Sequence, residues 1–256
     1  MTAPSMTPST SHVLLIPSYN PGNLIVNTVQ DALAQWQPVW VVCDGSTDGS
    51  TAILQKMSEN VSNLRVIVLS SNQGKGAAVM EGLRQAVESG FTHALTMDAD
   101  GQHPAYLIPH FMNSSKDHPD SMILGRPVFD DSAPQLRVQG RKISNFLANL
   151  DTLWMGIGDC LYGFRVYPIA PLLHIMQKHR FMRRFDFDIE AAVRLCWKNI
   201  RPINVDAPVK YLNANEGGVS HFNYWRDNAL LTWMHIRLIA GLMVRLPLLV
   251  WRKFNF

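Results

Sequence analysis

Cysteine is scarce, with three in 256 residues, Cys43, Cys160 and Cys196. They lie far apart, cannot all pair, and show no C-x-x-C or Cys/His spacing, which excludes a disulfide scaffold and a thiolate metal centre and fits a reducing compartment. Charged residues are few too, at 17%, below what a disordered chain carries. Several uninterrupted apolar runs of about 20 residues, the mark of a multi-span membrane protein, are missing. So are the phosphate-binding glycine motifs: no G-x-x-x-x-G-K-[ST] occurs and no G-x-G-x-x-G follows the first apolar run, which argues against P-loop and Rossmann dinucleotide sites. The first dozen residues hold no basic region and no apolar core, so 1–12 reads as a flexible cytoplasmic tail and not a secretory leader.

What the chain does have is 47% apolar residues, enough to bury one real core. Its charge is uneven. Residues 1–128 carry 6 basic and 10 acidic side chains, residues 129–256 carry 17 and 10, so the second half is suited to an anionic partner such as phosphate or a lipid headgroup. These basic residues interleave with apolar helix positions and form no contiguous patch with stacking aromatics, so no nucleic-acid partner is expected. Apolar runs at 13–17, 39–43, 64–69 and 92–97 alternate with helical periodicity at 24–36, 51–59 and 76–89. That rhythm predicts an α/β fold, an open and mostly parallel sheet flanked by helices, with ligands at the carboxyl ends of the strands. Beyond it, helices are expected near 105–115, 142–154, 168–178 and 188–197, and strands near 121–124 and 203–211.

Polar turns follow three of these strands. In Met97–Pro104, MDADGQHP, Asp98, Asp100 and Gln102 are spaced two apart, which puts three oxygen donors on one side of an extended chain and suits a hard divalent cation, Mg2+ or Mn2+. In VVCDGSTDGS, Asp44 ends a strand where it can accept from a nucleotide base or ribose, while Ser46, Thr47 and Asp48 suit an ordinary turn and helix cap. Gln73-Gly74-Lys75-Gly76 opens a helix with two glycines and a cation, a backbone that a phosphate can approach.

Taken in order, IPSYNPG (16–22), DGSTDGS (44–50), NQGKGAA (72–78) and DADGQHP (98–104) resemble the family 2 glycosyltransferases, in particular their dolichyl-phosphate mannose synthase-like branch. The similarity continues through GDCLYGFRVYP (158–168) and covers about residues 13–225. The resemblance implies a GT-A fold over that span and inverting transfer of a sugar from a nucleotide-diphosphate sugar. On it, Pro17, Tyr19, Asn20, Asp44, Lys75, Asp98, Ala99 and Asp100 would bind the nucleotide-sugar, and Asp98, Asp100 and Gln102 would hold Mn2+ or Mg2+ against the diphosphate. Arg165, Arg141 and Lys142 become candidates for phosphate on donor or acceptor, with Arg165 also counted among the catalytic residues. In RFDFDIEAAVR (184–194), Asp188 or Glu190, beside Asp186, is placed to serve as general base. A hydroxyl acceptor needs one; a phosphate acceptor does not. Gly217–Phe222 departs from the mannose synthase ending in having His221 for lysine, which leaves open whether the acceptor is a polyisoprenyl phosphate or a hydroxyl on a lipid or pigment. Two rivals stand beside this reading: a sugar-nucleotide pyrophosphorylase, against which the PSYNPG loop speaks, and a catalytically silent sugar- or lipid-binding scaffold.

The chain closes on an apolar stretch, Ala229–Trp251, about 35 Å long as a helix. His235, Arg237 and Arg245 interrupt it and Pro247 kinks it, which disfavours a simple span. Arg237, Gly241, Arg245 and Arg252 fall within an arc of roughly 80° on a helical wheel. Residues 226–256 are therefore expected to form an amphipathic helix with its arginines at anionic headgroups and Trp233 and Trp251 as anchors, making peripheral contact with the inner face of the cell membrane.

Overall fold

The structure, a computed structural model, describes residues 6–129, 135–209 and 224–255. Its elements follow the order β1 (His12–Ser18), α1 (Leu24–Gln35), β2 (Val39–Asp44), α2 (Ser50–Asn60), β3 (Leu64–Leu69), α3 (Lys75–Glu88), β4 (His93–Thr96), α4 (Ile108–Asp117), β5 (Met122–Val128), α5 (Gln135–Asp151), β6 (Arg165–Pro168), α6 (Ile169–Lys178), α7 (Phe187–Trp197), β7 (Pro202–Pro208) and α8 (Tyr224–Asn255). Every residue of β1 and β2 is buried, as expected of strands covered on both faces. Alternation along β1 serves both faces: Val13 and Leu15 enter one apolar cluster, Leu14 and Ile16 the other. Helix α1 buries Ile25, Thr28, Val29 and Ala32, the spacing of one helical stripe.

The seven strands lie in the order β3-β2-β1-β4-β6-β5-β7. All neighbours are parallel except around β6, which runs antiparallel to both β4 and β5. The expected fold class is borne out, with β6 as an addition that apolar periodicity did not disclose, because four residues are too few to show a period. Between β1 and β4 the order of connection reverses, and at such a switch point the loops splay to leave a ligand crevice.

Two expectations are corrected. Residues 1–12 were expected as a tail, yet the Ser9 amide donates to the Gln37 carbonyl at 2.8 Å and the Ser11 carbonyl accepts from Thr92 and His93, so sheet-side pairing begins before β1. The arginines of α8 do not form an outward stripe. Arg237 turns inward to Glu190 of α7 (2.7 Å) with its guanidinium 3.7 Å above Phe181. Arg245 lies 4.6 Å from the Trp197 ring and Arg252 donates to the Trp197 carbonyl. A Cβ on Gly241 would come within 2.6 Å of that same ring. This face is where the helix docks on α7, because apolar burial there is combined with charge pairing. The outward face carries Ile236, Ile239, Met243, Val244, Leu248 and Trp251, all exposed.

Candidate active site

The loops after β1 and β2 are stitched to one another, and the loop after β4 lies across the switch point from them. Asn20, in a left-handed conformation, donates its amide N–H to Ser46 Oγ (3.0 Å), and its Oδ1 accepts from the Thr47 amide (2.7 Å). Asp48 accepts from the Gly22 amide on one oxygen and from Ser50 on the other. Pro17 is buried within β1, and Tyr19 is half-buried beyond its end. Asp44 accepts the Gln73 amide on one oxygen (2.8 Å) and the Gly74 amide on the other (2.7 Å), and burial raises its carboxyl above the usual range against the pull of those bonds. Its charge thus orders the turn that leads into α3.

That turn is packed against the segment before α7. A Cβ on Gly74 would lie 2.5 Å from the Arg183 carbonyl oxygen, one on Gly76 would collide with the Met182 carbonyl, and the Ala77 amide donates to Arg183 at 3.1 Å. The α3 N-terminus is therefore capped by protein, which corrects the expectation that its glycines admit a phosphate. The close packing sends Lys75 across to α7. Its Nζ is 2.7 Å from Asp188 Oδ2 and 2.7 Å from Asp98 Oδ1. Burial alone would lower the Lys75 pKa, but the charges of Asp188 and Asp98 outweigh it and hold the ammonium above its usual range.

Asp98, at the end of β4, is held by two further neighbours. Its amide donates to His103 Nδ1 (3.1 Å), and its Oδ2 faces His103 Nε2 at 3.6 Å. Burial pushes its carboxyl up, and Lys75 and His103 outweigh that and bring it below the usual range. His103 itself is buried against Tyr162 and Phe164 and shifted down by that burial. Asp100 is raised, first by burial and then by the Asp98 charge, while its Oδ1 accepts from the Gln102 amide (3.0 Å). Ala99 sits between them, its carbonyl accepting from Thr28. The segment leading into antiparallel β6 brings Gly163 over this turn: a Cβ there would be 2.6 Å from both Asp98 Oδ2 and Lys75 Nζ, so a larger residue would displace that ion pair. Neither His103 nor Gly163 stood out as a site residue in the sequence, although His103 lies inside the DADGQHP motif and Gly163 opens GFR.

The acidic run at 186–190 divides into three tasks. Asp186 accepts the Met182 and Arg184 amides and so shapes the turn before α7. Glu190, expected as a possible base, is fully buried between Arg194 (2.8 Å) and Arg237 (2.7 Å); both oxygens are taken, and the carboxylate anchors α8. Asp188 alone turns to the crevice, one oxygen on Lys75 and the other buried without a partner. Arg165, expected on phosphate and in catalysis, is also corrected. It is fully buried, and its guanidinium donates to the carbonyls of Tyr162 (2.6 Å), Asp188 (2.5 Å) and Asp159 (3.3 Å) and to the Tyr167 hydroxyl (3.1 Å). It supports the backbone of Asp188 from behind, because a buried guanidinium must find acceptors in the protein. Arg141 is committed to Asp159 at 2.6 Å, while Lys142 is exposed to solvent. His221 lies outside the described residues.

An Asp–Lys–Asp bridge beside an acidic turn, at the switch point of a mostly parallel sheet, holds more carboxylates than cations, a setting for a cation and for a phosphate-bearing ligand held through it. The family model for glycosyl transferase family 2 matches residues 13–186. The chain belongs to glycosyl transferase family 2. This family 2 glycosyltransferase is 28% identical over 200 residues to the UDP-N-acetylglucosamine–dolichyl-phosphate N-acetylglucosaminyltransferase of Methanococcus voltae, covering 70% of this chain and 78% of that one. It is 28% identical to the polyprenol monophosphomannose synthase of Mycolicibacterium smegmatis over 64% of this chain, and spans 63% of that protein's length. In fold it is similar to glucosyl-3-phosphoglycerate synthase from Mycobacterium tuberculosis in complex with Mn2+, uridine-diphosphate-glucose and phosphoglyceric acid, with a TM-score of 0.57 at 16% identity over 92% of this chain and 79% of that one. It is also similar to S. aureus TarS 1-349 in complex with UDP-GlcNAc, with a TM-score of 0.54 at 17% identity over 88% and 65%.

The residues of the glycosyltransferase fit a divalent cation in one respect and limit it in another. Asp100 is pushed up by burial first and by the neighbouring Asp98 charge second, both of which a bound cation would offset, and two carboxylates with one amide oxygen are hard donors. Among the described residues no group of three or more His, Cys, Asp or Glu is arranged around a metal. The turn therefore suits an ion that takes its remaining ligands from water and phosphate.

Proposed function

We propose that this glycosyltransferase moves a sugar, with inversion, from a nucleotide-diphosphate sugar to a lipid-borne or other hydrophobic acceptor at the inner face of a membrane. The acceptor is a polyisoprenyl phosphate or a hydroxyl on a lipid or pigment. The observation that carries the reading is the bridge Asp98–Lys75–Asp188, with the second Asp188 oxygen buried and without a partner beside it. The names of the two curated relatives support the lipid acceptor. The catalytic part runs to about residue 225, and α8 rests on the membrane.

Mn2+ or Mg2+, when bound, supplies positive charge to the leaving diphosphate, with Asp98, Asp100 and Gln102 as its protein ligands. Lys75 adds a second cation beside that charge, in a setting where burial strengthens its effect. Asp188, fixed from behind by Arg165 and from the side by Lys75, orients the acceptor and takes the proton when the acceptor is a hydroxyl. The loops carrying Tyr19, Asn20 and Asp44 frame the nucleoside.

The test is a thermal-shift series of UDP- and GDP-sugars with and without Mn2+, on the unmodified chain and on Asp100→Ala. A ligand that binds only the native state raises the melting temperature. The expected result is a metal-dependent rise with one nucleotide, lost in Asp100→Ala together with donor hydrolysis. A variant that keeps both activity and the metal-dependent rise removes Asp100 from the site.

A further inference from the structure

The ends of α5, α7 and α8 enclose a cavity of about 250 Å³ that the donor crevice does not use. Asp188 lies in the first turn of α7, whereas the cavity is bordered by Cys196 and Asn199 at its far end, roughly 15 Å away along the helix. Three cations line it, Arg201, Arg252 and Lys253, and no carboxylate is among its lining side chains. The rest of its wall is largely apolar, with Leu153, Trp154 and Leu249.

The cations are positioned with donors to spare. Arg252 gives one N–H to the Trp197 carbonyl (2.9 Å) and Lys253 one to the Leu153 carbonyl (3.0 Å); a guanidinium has five and an ammonium three. Arg201 is exposed at the start of β7. Leu153 (φ 51°), Trp154 (φ 60°) and Asn199 (φ 65°) are left-handed where α5 and α7 end, the conformation of helix C-caps, with the Trp154 amide donating to the Asn149 carbonyl and the Ile200 amide to the Leu195 carbonyl. Trp154, 54% exposed, stands at the rim with Phe146 against it edge-on. Trp251 and Phe254, on the last turns of α8, are exposed nearby in sequence.

We propose that this cavity binds the headgroup of an acidic membrane phospholipid, its phosphate on Arg201, Arg252 and Lys253 and its acyl chains along Trp154 and Leu249. Cations without a carboxylate select a negative charge, and the apolar half of the wall selects a molecule that is greasy beyond its phosphate, which free phosphate is not. The volume lies just below the usual range for small-molecule pockets. The cavity lies at the far end of α7 from Asp188, so this site is separate from the donor crevice and stands whether or not the transferase reading does.

The experiment is calorimetric titration of the full chain with dihexanoylphosphatidylglycerol below its micelle concentration, with dihexanoylphosphatidylcholine, and with inorganic phosphate. The glycerol lipid is expected to bind about tenfold or more tightly than the other two. Arg201→Ala, on an exposed side chain, is expected to weaken it about tenfold while leaving the donor's Mn2+-dependent thermal shift unchanged. Trp154→Ala is expected to erase the preference for the lipid over phosphate. Equal binding of the two lipids, an Arg201→Ala variant that binds as before, or phosphate binding as tightly as the lipid overturns the proposal. Failure of the donor series in the unmodified chain tells only against the transferase reading.

Discussion

Asp188 and Glu190 are two residues apart on one helix and yet have opposite fates, because α7 is buried on every side and each carboxylate meets a different neighbour. Glu190 faces two arginines; Asp188 faces Lys75 and the crevice. Asp188→Asn is expected to lower turnover with a hydroxyl acceptor by ~10²–10⁴ and with a phosphate acceptor by less than about tenfold, since only the former needs a base. Steady-state rates with both acceptor types check this. Asp151 makes a different point. It is fully buried at the end of α5 with no partner on either oxygen, and burial raises its carboxyl to about 7. A carboxyl raised in the folded state favours folding below its ordinary value of 3.8 and loses that contribution as pH rises through about 7. Asp151→Asn is therefore expected to raise the melting temperature by several degrees at pH 8 and to leave it unchanged at pH 3.5, read by a thermal melt at each pH.

At the scale of elements, the contact that ties the C-terminal helix to the proposed active site is the buried group Arg194–Glu190–Arg237, with Arg237 pressed on Phe181. Its geometry links α8 to the very turn of α7 that bears Asp188. Arg237 also lies 3.8 Å from Asp186, so its loss leaves two buried carboxylates with Arg194 as their one cation, at roughly 3 kcal/mol. Arg237→Met is expected to cost about that much in a denaturant titration. It is also expected to lower donor turnover, because Asp188 loses the support beneath its helix. Unchanged stability in that variant would mean that α8 is held by apolar contacts alone. The strand β6 has a similar reach, since it carries Arg165 behind Asp188 and leads Gly163 over Asp98.

For the whole molecule, the decisive feature is that α8 presents apolar side chains on both sides: one packs on the domain and the other faces out. Trp225–Asn255 is the one described helix long and apolar enough to cross a membrane, and 22% of its most apolar window is buried, whereas a core helix is mostly covered. With its arginines turned inward, the outward face offers Ile236, Met243, Val244 and Trp251 without charge, which suits a helix lying in the interface of a bilayer. Met243→Asp with Val244→Asp is expected to reduce co-sedimentation with phosphatidylglycerol vesicles by more than about tenfold, each side chain contributing on the order of 1.5–3 kcal/mol when buried. Donor binding and melting temperature are expected to stay as they were.

Apolar runs such as 39–43 and 64–69 and the helical stripe of Ile25, Val29 and Ala32 are local patterns, and they determined the parallel half of the sheet and the rim on which the motifs sit. The spacing of Asp98, Asp100 and Gln102 likewise pointed to one turn. Contacts between distant segments belong to another order of information. Lys75 meets Asp188 across 113 residues because Gly74 and Gly76 let α3 close on Met182 and Arg183. Arg165 reads as a phosphate ligand in the sequence, and its role as a buried brace shows only once β6 is seen to run antiparallel beside β4. Arg237, Arg245 and Arg252 share one face of α8 by helical period alone, but whether that face meets water, headgroups or α7 depends on what packs there. Periodicity records which residues lie together on an element, and only the tertiary fold decides what that face touches, because partner, burial and charge compensation are properties of the assembled core.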